Sequence, residues 1–388
     1  AAAFPETAID PPTFLTFGSW MGGDRDGNPF VTADVTAATL LRLRQAAIDG
    51  HLEWCRRLGD LLTISLRSAT GGRPLAERLA ALVADHPELA AAVEPFEEHA
   101  IYRRWLAMIR TRLEGARRLV LDQADASSPA YRAGADFVAD VALLVECLRQ
   151  DHGLAPDSPP QAWLDLARTF GLHMTCLDVR QDARAYADIL GAILAAAGLL
   201  PDAAAYAALD EAARARLLVG SLGTVGNLPR DSLPPLAADT LALFELLHRA
   251  TVQFGPECLG GAIVSLTHCP ADVLGVLWLW RWARGCAEAA GEPVAANDIA
   301  IVPLFEKIND LADAHKTLGA MLAEPAYRAH LAARGDRQLV MVGYSDSTKD
   351  GGYLAAFCGL QTAQERLHAV ATAAGVRLTF FHGRGGSL

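Results

Sequence analysis

The sequence predicts a helix-rich α/β fold that forms part of a (β/α)8 barrel with a large added helical layer. Three observations predict this fold class. Residues 33–172 show a helical pattern almost throughout, and beyond them short apolar runs alternate with helical stretches. Polar or charged side chains follow each of those apolar runs, as is typical of the strand ends that carry barrel active sites.

Composition and charge restrict the class of protein. The 388 residues are 52% hydrophobic and 20% charged, a balance typical of packed domains and not of disordered chains. The formal net charge is −11, which disfavours a nucleic-acid surface because phosphate backbones are bound by an excess of Lys and Arg. No apolar run approaches the roughly 20 residues of a membrane span, so we expect no membrane insertion.

The cysteines indicate a reducing compartment. They are scattered, odd in number and without a C-x-x-C pair, which fits neither a disulfide framework nor a zinc site. We interpret them as small core residues of a cytoplasmic protein, and the first ten residues lack the features of a secretory signal. The seven are Cys55, Cys147, Cys176, Cys258, Cys269, Cys286 and Cys358.

Residues 33–172 are predicted to form the helical region. Apolar residues recur at three- and four-residue spacing in TLLRLRQAAIDGHLEWCRRLGDLL and in IYRRWLAMIRTRLEGARRL, the period of an amphipathic helix. Gly and Pro predict helix breaks at residues 71–74, 86–87 and 127–129. We expect the isolated histidines of these helices to be packed or solvated.

Residues 173–388 are predicted to form a partial β/α barrel. Five runs are strand candidates: HMTCLDV, GAIVSLT, AIVPLFE, QLVMVGYS and RLTFFHG. Nearly continuous apolar runs are typical of strands buried on both faces, as in parallel sheets. Between the second and third runs, Trp278, Trp280 and Trp282 alternate along a predicted helix, where we expect them to pack in a core or an interface.

The predicted strand ends carry the candidate site. Because the carboxyl ends of barrel strands converge on one face, the polar groups after the runs should lie together. These groups are Arg180 and Gln181, Thr267 and His268, Glu306 and Lys307, Asp346, and finally His382, Gly383 and Arg384.

Glu306 and Asp346 would be two carboxylates at the tops of neighbouring strands. A hard divalent cation such as Mg²⁺ uses this arrangement, with water and substrate oxygens completing its coordination. The competing interpretation is two unrelated polar residues that happen to end strands.

The segment F-F-H-G-R-G-G-S at residues 380–387 sets Arg384 among glycines directly after a strand. Backbone N–H groups could then approach an anion closely and the guanidinium could bind it through two donors, which suits a phosphate. An ordinary glycine turn is the alternative, since the segment matches neither the G-x-G-x-x-G pattern nor the P-loop.

Residues 1–32 are predicted to include a loop at the entrance of the active site. Its sequence at residues 18–29 is G-S-W-M-G-G-D-R-D-G-N-P. This loop is not an EF-hand, because Gly27 follows Asp26 directly and position twelve counted from Asp24 is Val35, not Glu.

Three segments together resemble the phosphoenolpyruvate carboxylase family, and they occur in that family's order. They are the loop at residues 18–29, V-M-V-G-Y-S-D-S-T-K-D-G-G at residues 340–352, and F-H-G-R-G-G-S at residues 381–387. L-D-V-R-Q at residues 177–181 and V-P-L-F-E at residues 302–306 are also similar to family segments. The resemblance therefore extends from about Phe14 to the end of the chain.

The resemblance implies an enzyme that makes oxaloacetate and phosphate from phosphoenolpyruvate and bicarbonate, through carboxyphosphate and an enolate, with Mg²⁺ or Mn²⁺ as cofactor. It places the family's metal ligands at Glu306 and Asp346. The phosphate-binding arginines fall on Arg180 and Arg384, and the site lysine falls on Lys349. The apolar pocket for released CO₂ would use Trp20 and Leu304.

The resemblance also implies a homotetramer that is inhibited by a C4 dicarboxylate and that supplies the tricarboxylic acid cycle. The family's histidine signature T-A-H-P-T is absent, and the family's sequence continues beyond the glycine–arginine loop. We therefore expect an internal fragment that is inactive in isolation. Two alternatives remain open: another barrel enzyme that uses phosphoenolpyruvate and a divalent metal, and a non-catalytic barrel fragment. Bicarbonate dependence would distinguish the carboxylase from both.

Overall fold

The computed structural model describes residues 14–64, 72–119, 128–224, 226, 228–343 and 345–383. The chain divides into two compact units. Unit 1 comprises Ala1–Gly18, Leu40–Cys176 and Gln253–Cys258. Unit 2 comprises Ser19–Thr39, Leu177–Val252 and Leu259–Leu388.

Unit 1 is helical where the structure describes it, as the apolar spacing predicts. Its helices are α1 (Ala33–Leu61, which begins in unit 2), α2 (Arg73–Asp85), α3 (Ala90–Val93), α4 (Ile101–Arg118), α5 (Gly134–His152) and α6 (Pro159–Phe170).

Local sequence explains where these helices end and begin. Gly153 follows α5 in the left-handed conformation, with φ of 61°, which glycine adopts at no steric cost. Ser158 precedes α6, and Pro159 is its first residue. Proline is tolerated at this position because the N–H that it lacks would have no partner within the helix. The buried side chains of α4, α5 and α6 form one apolar cluster, which includes Trp105 and Trp163.

His51 is buried in this cluster and held as a neutral imidazole. Its Nε2 lies 2.8 Å from the carbonyl oxygen of Gly171, and its Nδ1 accepts a hydrogen bond of 3.2 Å from the indole N–H of Trp163. A proton on Nδ1 would oppose that indole N–H. Burial lowers the pKa of His51 to about 4.

We expect unit 1 to lose stability as the pH falls from 6.5 towards 4. The unfolded chain takes up a proton near pH 6.5 whereas native His51 does not, so acid favours the unfolded state by about 3 kcal/mol in total. Urea denaturation at pH 7 and pH 5 measures the loss. The matched variant His51→Gln can keep both hydrogen bonds without titrating, and an identical pH dependence in that variant would contradict the assignment.

Unit 2 contains the sheet. Its strands are β1 (Gly18–Ser19, which begins in unit 1), β2 (Cys176–Asp182), β3 (Leu259–Ser265), β4 (Ile301–Phe305), β5 (Arg337–Val342) and β6 (Arg377–His382). Their order in the sheet follows the chain, from β1 to β6. Strands β2 to β6 pair in parallel, with Ala262 opposite Ile301 and Leu304 opposite Met341. The helix-rich α/β class is thus confirmed, and the sheet is consistent with part of a barrel.

Helices connect the strands. They are α7 (Ala183–Ala196), α8 (Ala204–Ala208), α9 (Glu211–Gly220), α10 (Pro235–Phe254), α11 (Pro270–Ala290), α12 (Ile308–Ala323), α13 (Pro325–Ala333), α14 (Ser345–Gly351) and α15 (Tyr353–Ala373).

The alternating tryptophans of α11 are core residues. Trp278, Trp280 and Trp282 are buried, and each indole N–H donates a hydrogen bond. The acceptors are the Ser221 hydroxyl at 3.0 Å, a carboxylate oxygen of Asp298 at 2.8 Å and the Gly226 carbonyl at 3.1 Å. A buried indole costs little when its N–H is satisfied in this way.

Two predictions from the sequence need correction. Arg180 does not follow the first predicted strand but lies inside β2, because pairing with β3 continues as far as Asp182 opposite Ser265. Cys358 is not a core residue, because it lies on an exposed position of α15. None of the seven cysteines forms a disulfide within the described residues.

No helix among the described residues combines the length and the apolarity that a membrane span requires.

Candidate active site

Glu306 lies directly after β4, whose five residues are all buried. Two neighbours fix the backbone around it. A Cβ on Gly343 would lie 2.9 Å from the Glu306 Cα, so a glycine is required where β5 ends. The buried hydroxyl of Ser347 donates to the Glu306 carbonyl, and this bond ties α14 to the end of β4.

The environment of the Glu306 carboxyl is apolar and negatively charged. Burial, and then the nearby charge of Asp346, raise the pKa of Glu306 to about 7; Arg180 opposes this shift and Asp26 adds to it. A backbone hydrogen bond from Leu266 stabilises the ionised form. Leu266 has φ of 50°, a left-handed conformation that is strained for leucine and typical of functional sites.

Asp346 lies in the first turn of α14, close enough to Glu306 for the two charges to interact. Its Oδ1 accepts a hydrogen bond of 2.8 Å from the Lys349 ammonium, one helical turn further on. Lys349 is exposed, and this bond together with the Asp346 charge raises the pKa of its amine. The lysine remains a cation beside the two carboxylates.

Arg180 is held by an acidic side chain that the sequence did not single out. Its Nε and Nη2 both donate to the carboxylate of Asp24, each at 2.8 Å. Its Nη1 lies 3.9 Å from Asp26 Oδ2, beyond hydrogen-bond length. The guanidinium also lies over the Trp20 ring, 4.5 Å from the ring centre. Within the described residues, Nη1 of Arg180 therefore has a longer ion pair with Asp26 and no hydrogen bond.

The loop that carries Asp24 runs along β2. Arg25 N donates to Arg180 O at 2.8 Å, and Arg180 N donates to Gly23 O at 3.0 Å. A Cβ on Gly23 would lie 2.0 Å from the Asp178 carbonyl oxygen, so only glycine permits this approach. The close contact explains the second glycine of the pair in the sequence motif.

Trp20 and Leu304 belong to one apolar cluster. Trp20 packs against a buried group that contains Leu304 and Met341, and its ring meets Phe381 edge-on at 6.1 Å. The Trp20 indole N–H donates to Asp178 Oδ2 at 3.1 Å, which fixes the ring plane. Leu304 is buried within this group.

The structure brings six of the seven predicted site residues into unit 2. They are Trp20, Arg180, Leu304, Glu306, Asp346 and Lys349. Arg384 lies outside the described residues, and His382 is the last residue of β6. The sequence prediction missed Asp24, Asp26 and Asp178. Both Asp24 and Asp26 stood in the loop motif, and the acidic residue on each side of Arg25 was the available signal.

The donor set fits a hard divalent cation. Glu306 and Asp346 carry the carboxylate oxygens that such a cation prefers. Burial first, and then the charge of Asp346, raise the pKa of Glu306. In the part of the chain that the structure describes, no group of three or more His, Cys, Asp or Glu side chains is arranged to hold a metal. Two carboxylates would leave the remaining coordination positions to water and substrate.

Comparison with known proteins identifies similar chains. The family model described as phosphoenolpyruvate carboxylase matches residues 1–388. A phosphoenolpyruvate carboxylase of Xanthomonas campestris is 40% identical over 383 residues, which cover 97% of this chain and 40% of the relative. A protein of the same name from Mycobacterium avium is 37% identical over 380 residues, covering 96% of this chain and 39% of the relative.

A third relative, from Rhodothermus marinus, has the same name and is 37% identical over 394 residues, with coverage of 98% and 41%. The chain therefore spans about two fifths of the length of the curated relatives it matches.

Proposed function

The chain belongs to the phosphoenolpyruvate carboxylase family, and we propose that it contributes the metal and phosphate sites of an enzyme that carboxylates phosphoenolpyruvate with bicarbonate. The products are oxaloacetate and phosphate. One observation carries the proposal: the Glu306 carboxyl, directly after β4, lies close enough to Asp346, in the first turn of α14, and to Arg180 for their charges to interact.

In the proposed site, Glu306 and Asp346 bind Mg²⁺ or Mn²⁺. The bound cation would supply positive charge for the oxygens of phosphoenolpyruvate as negative charge develops on them. If one carboxylate is removed, the other is the only protein carboxylate left in the proposed site to bind the cation. Lys349 adds a nearby cation through its contact with Asp346.

Arg180 and Arg384 bind the phosphate in this proposal. Bicarbonate oxygen attacks phosphorus, the bond from phosphorus to the enol oxygen breaks, and carboxyphosphate and an enolate result. Nε and Nη2 of Arg180 bind Asp24, and Nη1 would donate to the phosphate. The ion pair with Asp24 therefore sets the orientation of the guanidinium towards the phosphate. Preorganised donors of this kind need no rearrangement during the reaction.

The second step needs a dry surface. Carboxyphosphate breaks down to CO₂ and phosphate, and the enolate carbon forms a bond to CO₂. Water at this point would protonate the enolate and give pyruvate, so the apolar wall of Trp20 and Leu304 protects the intermediate. The buried cluster around Leu304 supports this role.

We propose further that the sheet is part of a (β/α)8 barrel, with residues 1–32 as entrance loop, residues 33–172 as helical layer and residues 173–388 as barrel. A cytoplasmic homotetramer under allosteric control remains the expectation for the intact enzyme. The sequential strand order and the parallel pairing of β2 to β6 support the barrel.

Bicarbonate-dependent formation of oxaloacetate by the intact enzyme tests the function. Malate dehydrogenase converts the product with oxidation of NADH, which absorbance records. Turnover should require phosphoenolpyruvate, bicarbonate and Mg²⁺ together. Turnover that needs a nucleotide and not bicarbonate would favour another phosphoenolpyruvate-using enzyme, and no turnover under any of these conditions would favour a non-catalytic protein.

Arg384→Lys in the intact enzyme should lower kcat/KM for phosphoenolpyruvate about ten- to a hundredfold. The charge is kept, but a single ammonium cannot replace the two parallel donors of a guanidinium on a phosphate. Steady-state kinetics measure the loss, with Arg377→Lys, at the start of β6, as control. An unchanged kcat/KM would remove Arg384 from the phosphate site.

A further inference from the structure

One carboxylate holds both ends of the segment from Arg25 to Ala33. Asp239 lies on α10, and its Oδ1 accepts a hydrogen bond of 3.0 Å from the backbone N–H of Ala33, where α1 begins. Its Oδ2 is ion-paired with Nη2 of Arg25. Asp239 therefore fixes the start of α1 and the loop side chain at the same time.

Arg25 is an unusual arginine because only 5% of it is exposed. Its Nε and Nη1 are buried without a hydrogen-bond partner among the described residues. Burial lowers the pKa of Arg25, because the cation is largely removed from water in this position. Asp239 is its single ion-pair partner within that part of the chain, whereas the Asp239 side chain is 27% exposed and keeps some contact with water.

Arg25 is also continuous with the candidate site. Its backbone N–H donates to the Arg180 carbonyl at 2.8 Å, and Asp24, the preceding residue, binds the Arg180 guanidinium through two hydrogen bonds. A shift of Arg25 along β2 would move Asp24 by the same amount. The orientation of Arg180 depends on both.

We propose that Arg25 and Asp239 are a positioning pair, which holds the loop in register on β2 so that Asp24 presents Arg180 to the substrate phosphate. The proposal rests on the function proposed above for Arg180. Neither side chain needs to touch substrate for this role.

The unequal burial of the two partners predicts unequal effects of their removal. Asp239→Asn leaves the Arg25 cation buried and unpaired, which is the costly way to break such a pair. Arg25→Met leaves a carboxylate that water can reach. The double variant removes the stranded charge, so it should recover much of what Asp239→Asn loses.

We expect Asp239→Asn to lower kcat/KM for phosphoenolpyruvate about ten- to a hundredfold, because small displacements of an orienting group have effects of this size. The loss should appear as a higher KM for phosphoenolpyruvate with an unchanged KM for bicarbonate. Arg25→Met and the double variant should lose less, and Asp239→Glu should retain most activity. Asp336→Asn is the matched control, since it breaks the pair of Arg328 and Asp336, at 2.6 Å, beside the start of β5.

A second measurement does not depend on turnover. In protein labelled with 5-fluorotryptophan, the ¹⁹F resonance of Trp20, identified with Trp20→Phe, reports the ring that covers Arg180. The chemical shift of this resonance should change in Asp239→Asn and return towards the parent value in the double variant. This result does not depend on whether the intact enzyme forms oxaloacetate. If Asp239→Asn lowers thermal stability while the KM values and the Trp20 resonance stay unchanged, the pair is only structural and the proposal is wrong.

Discussion

Replacing Glu306 with Gln, or Asp346 with Asn, in the intact enzyme should lower Mg²⁺-dependent turnover at least about a hundredfold, the scale on which single preorganised electrostatic groups act. Each substitution keeps the shape of the side chain and removes one anionic oxygen ligand. With two protein carboxylates in the proposed site, neither loss can be compensated within it.

The fold should survive these substitutions. Burial and the charge of Asp346 raise the pKa of Glu306 to about 7, so the native state disfavours its ionised form. An acid whose native pKa lies above its unfolded value destabilises the protein as the pH rises above the unfolded value. A neutral Gln at position 306 should therefore leave the unfolding temperature of the metal-free enzyme unchanged or higher at pH 8.

Turnover against Mg²⁺ concentration, together with thermal unfolding, measures both effects. Glu365→Gln, at an exposed position of α15, is the control, and it should equal the parent enzyme in turnover and in unfolding temperature. Near-normal kcat with the same Mg²⁺ requirement in either variant would show that the metal is bound elsewhere.

Asp298→Ala should destabilise the protein by about 3–5 kcal/mol, the usual cost of removing one partner of a buried ionic group. Asp298 is 3% exposed. Its oxygens accept from Trp280 Nε1 at 2.8 Å and from Arg281 Nη2 at 2.9 Å, and His330 Nδ1 lies 3.2 Å away. Burial alone would raise the pKa of Asp298, but His330, Trp280 and Arg281 together hold it below its usual value.

The expected fall in unfolding temperature is about 5 °C. Asp298→Asn should fall less, because an amide oxygen still accepts from the Trp280 indole while the charge that pairs with Arg281 is lost. Differential scanning calorimetry of the three proteins gives the order. Equal unfolding temperatures for the parent and Asp298→Ala would mean that these contacts add nothing to stability.

The fold class could be predicted from local pattern. The runs that became β3, β4 and β5 are almost wholly apolar, and a strand buried on both faces needs that composition whatever its neighbours are. The end of β2 could not be predicted in this way. Arg180, Gln181 and Asp182 are polar, and they continue the strand because β3 pairs beside them.

The sequence by itself identified the candidate site residues by their chemistry. Carboxylates after two apolar runs, an arginine among glycines and the family motifs pointed to Glu306, Asp346 and Arg384 without any coordinates. Such groups are recognisable because strand ends and glycine turns are local features of the chain.

Only the tertiary structure decided what those residues face. Asp24 and Arg180 are 156 positions apart in the sequence and share two hydrogen bonds. Arg25 forms an ion pair with Asp239, which lies on a helix far along the chain. Burial and neighbouring charge depend on which segments the fold brings together, and they set both the pKa of Glu306 and the ion pairs of Arg180. Sequence spacing carries no information about such contacts, because a charge responds to distance in space and to the exclusion of water.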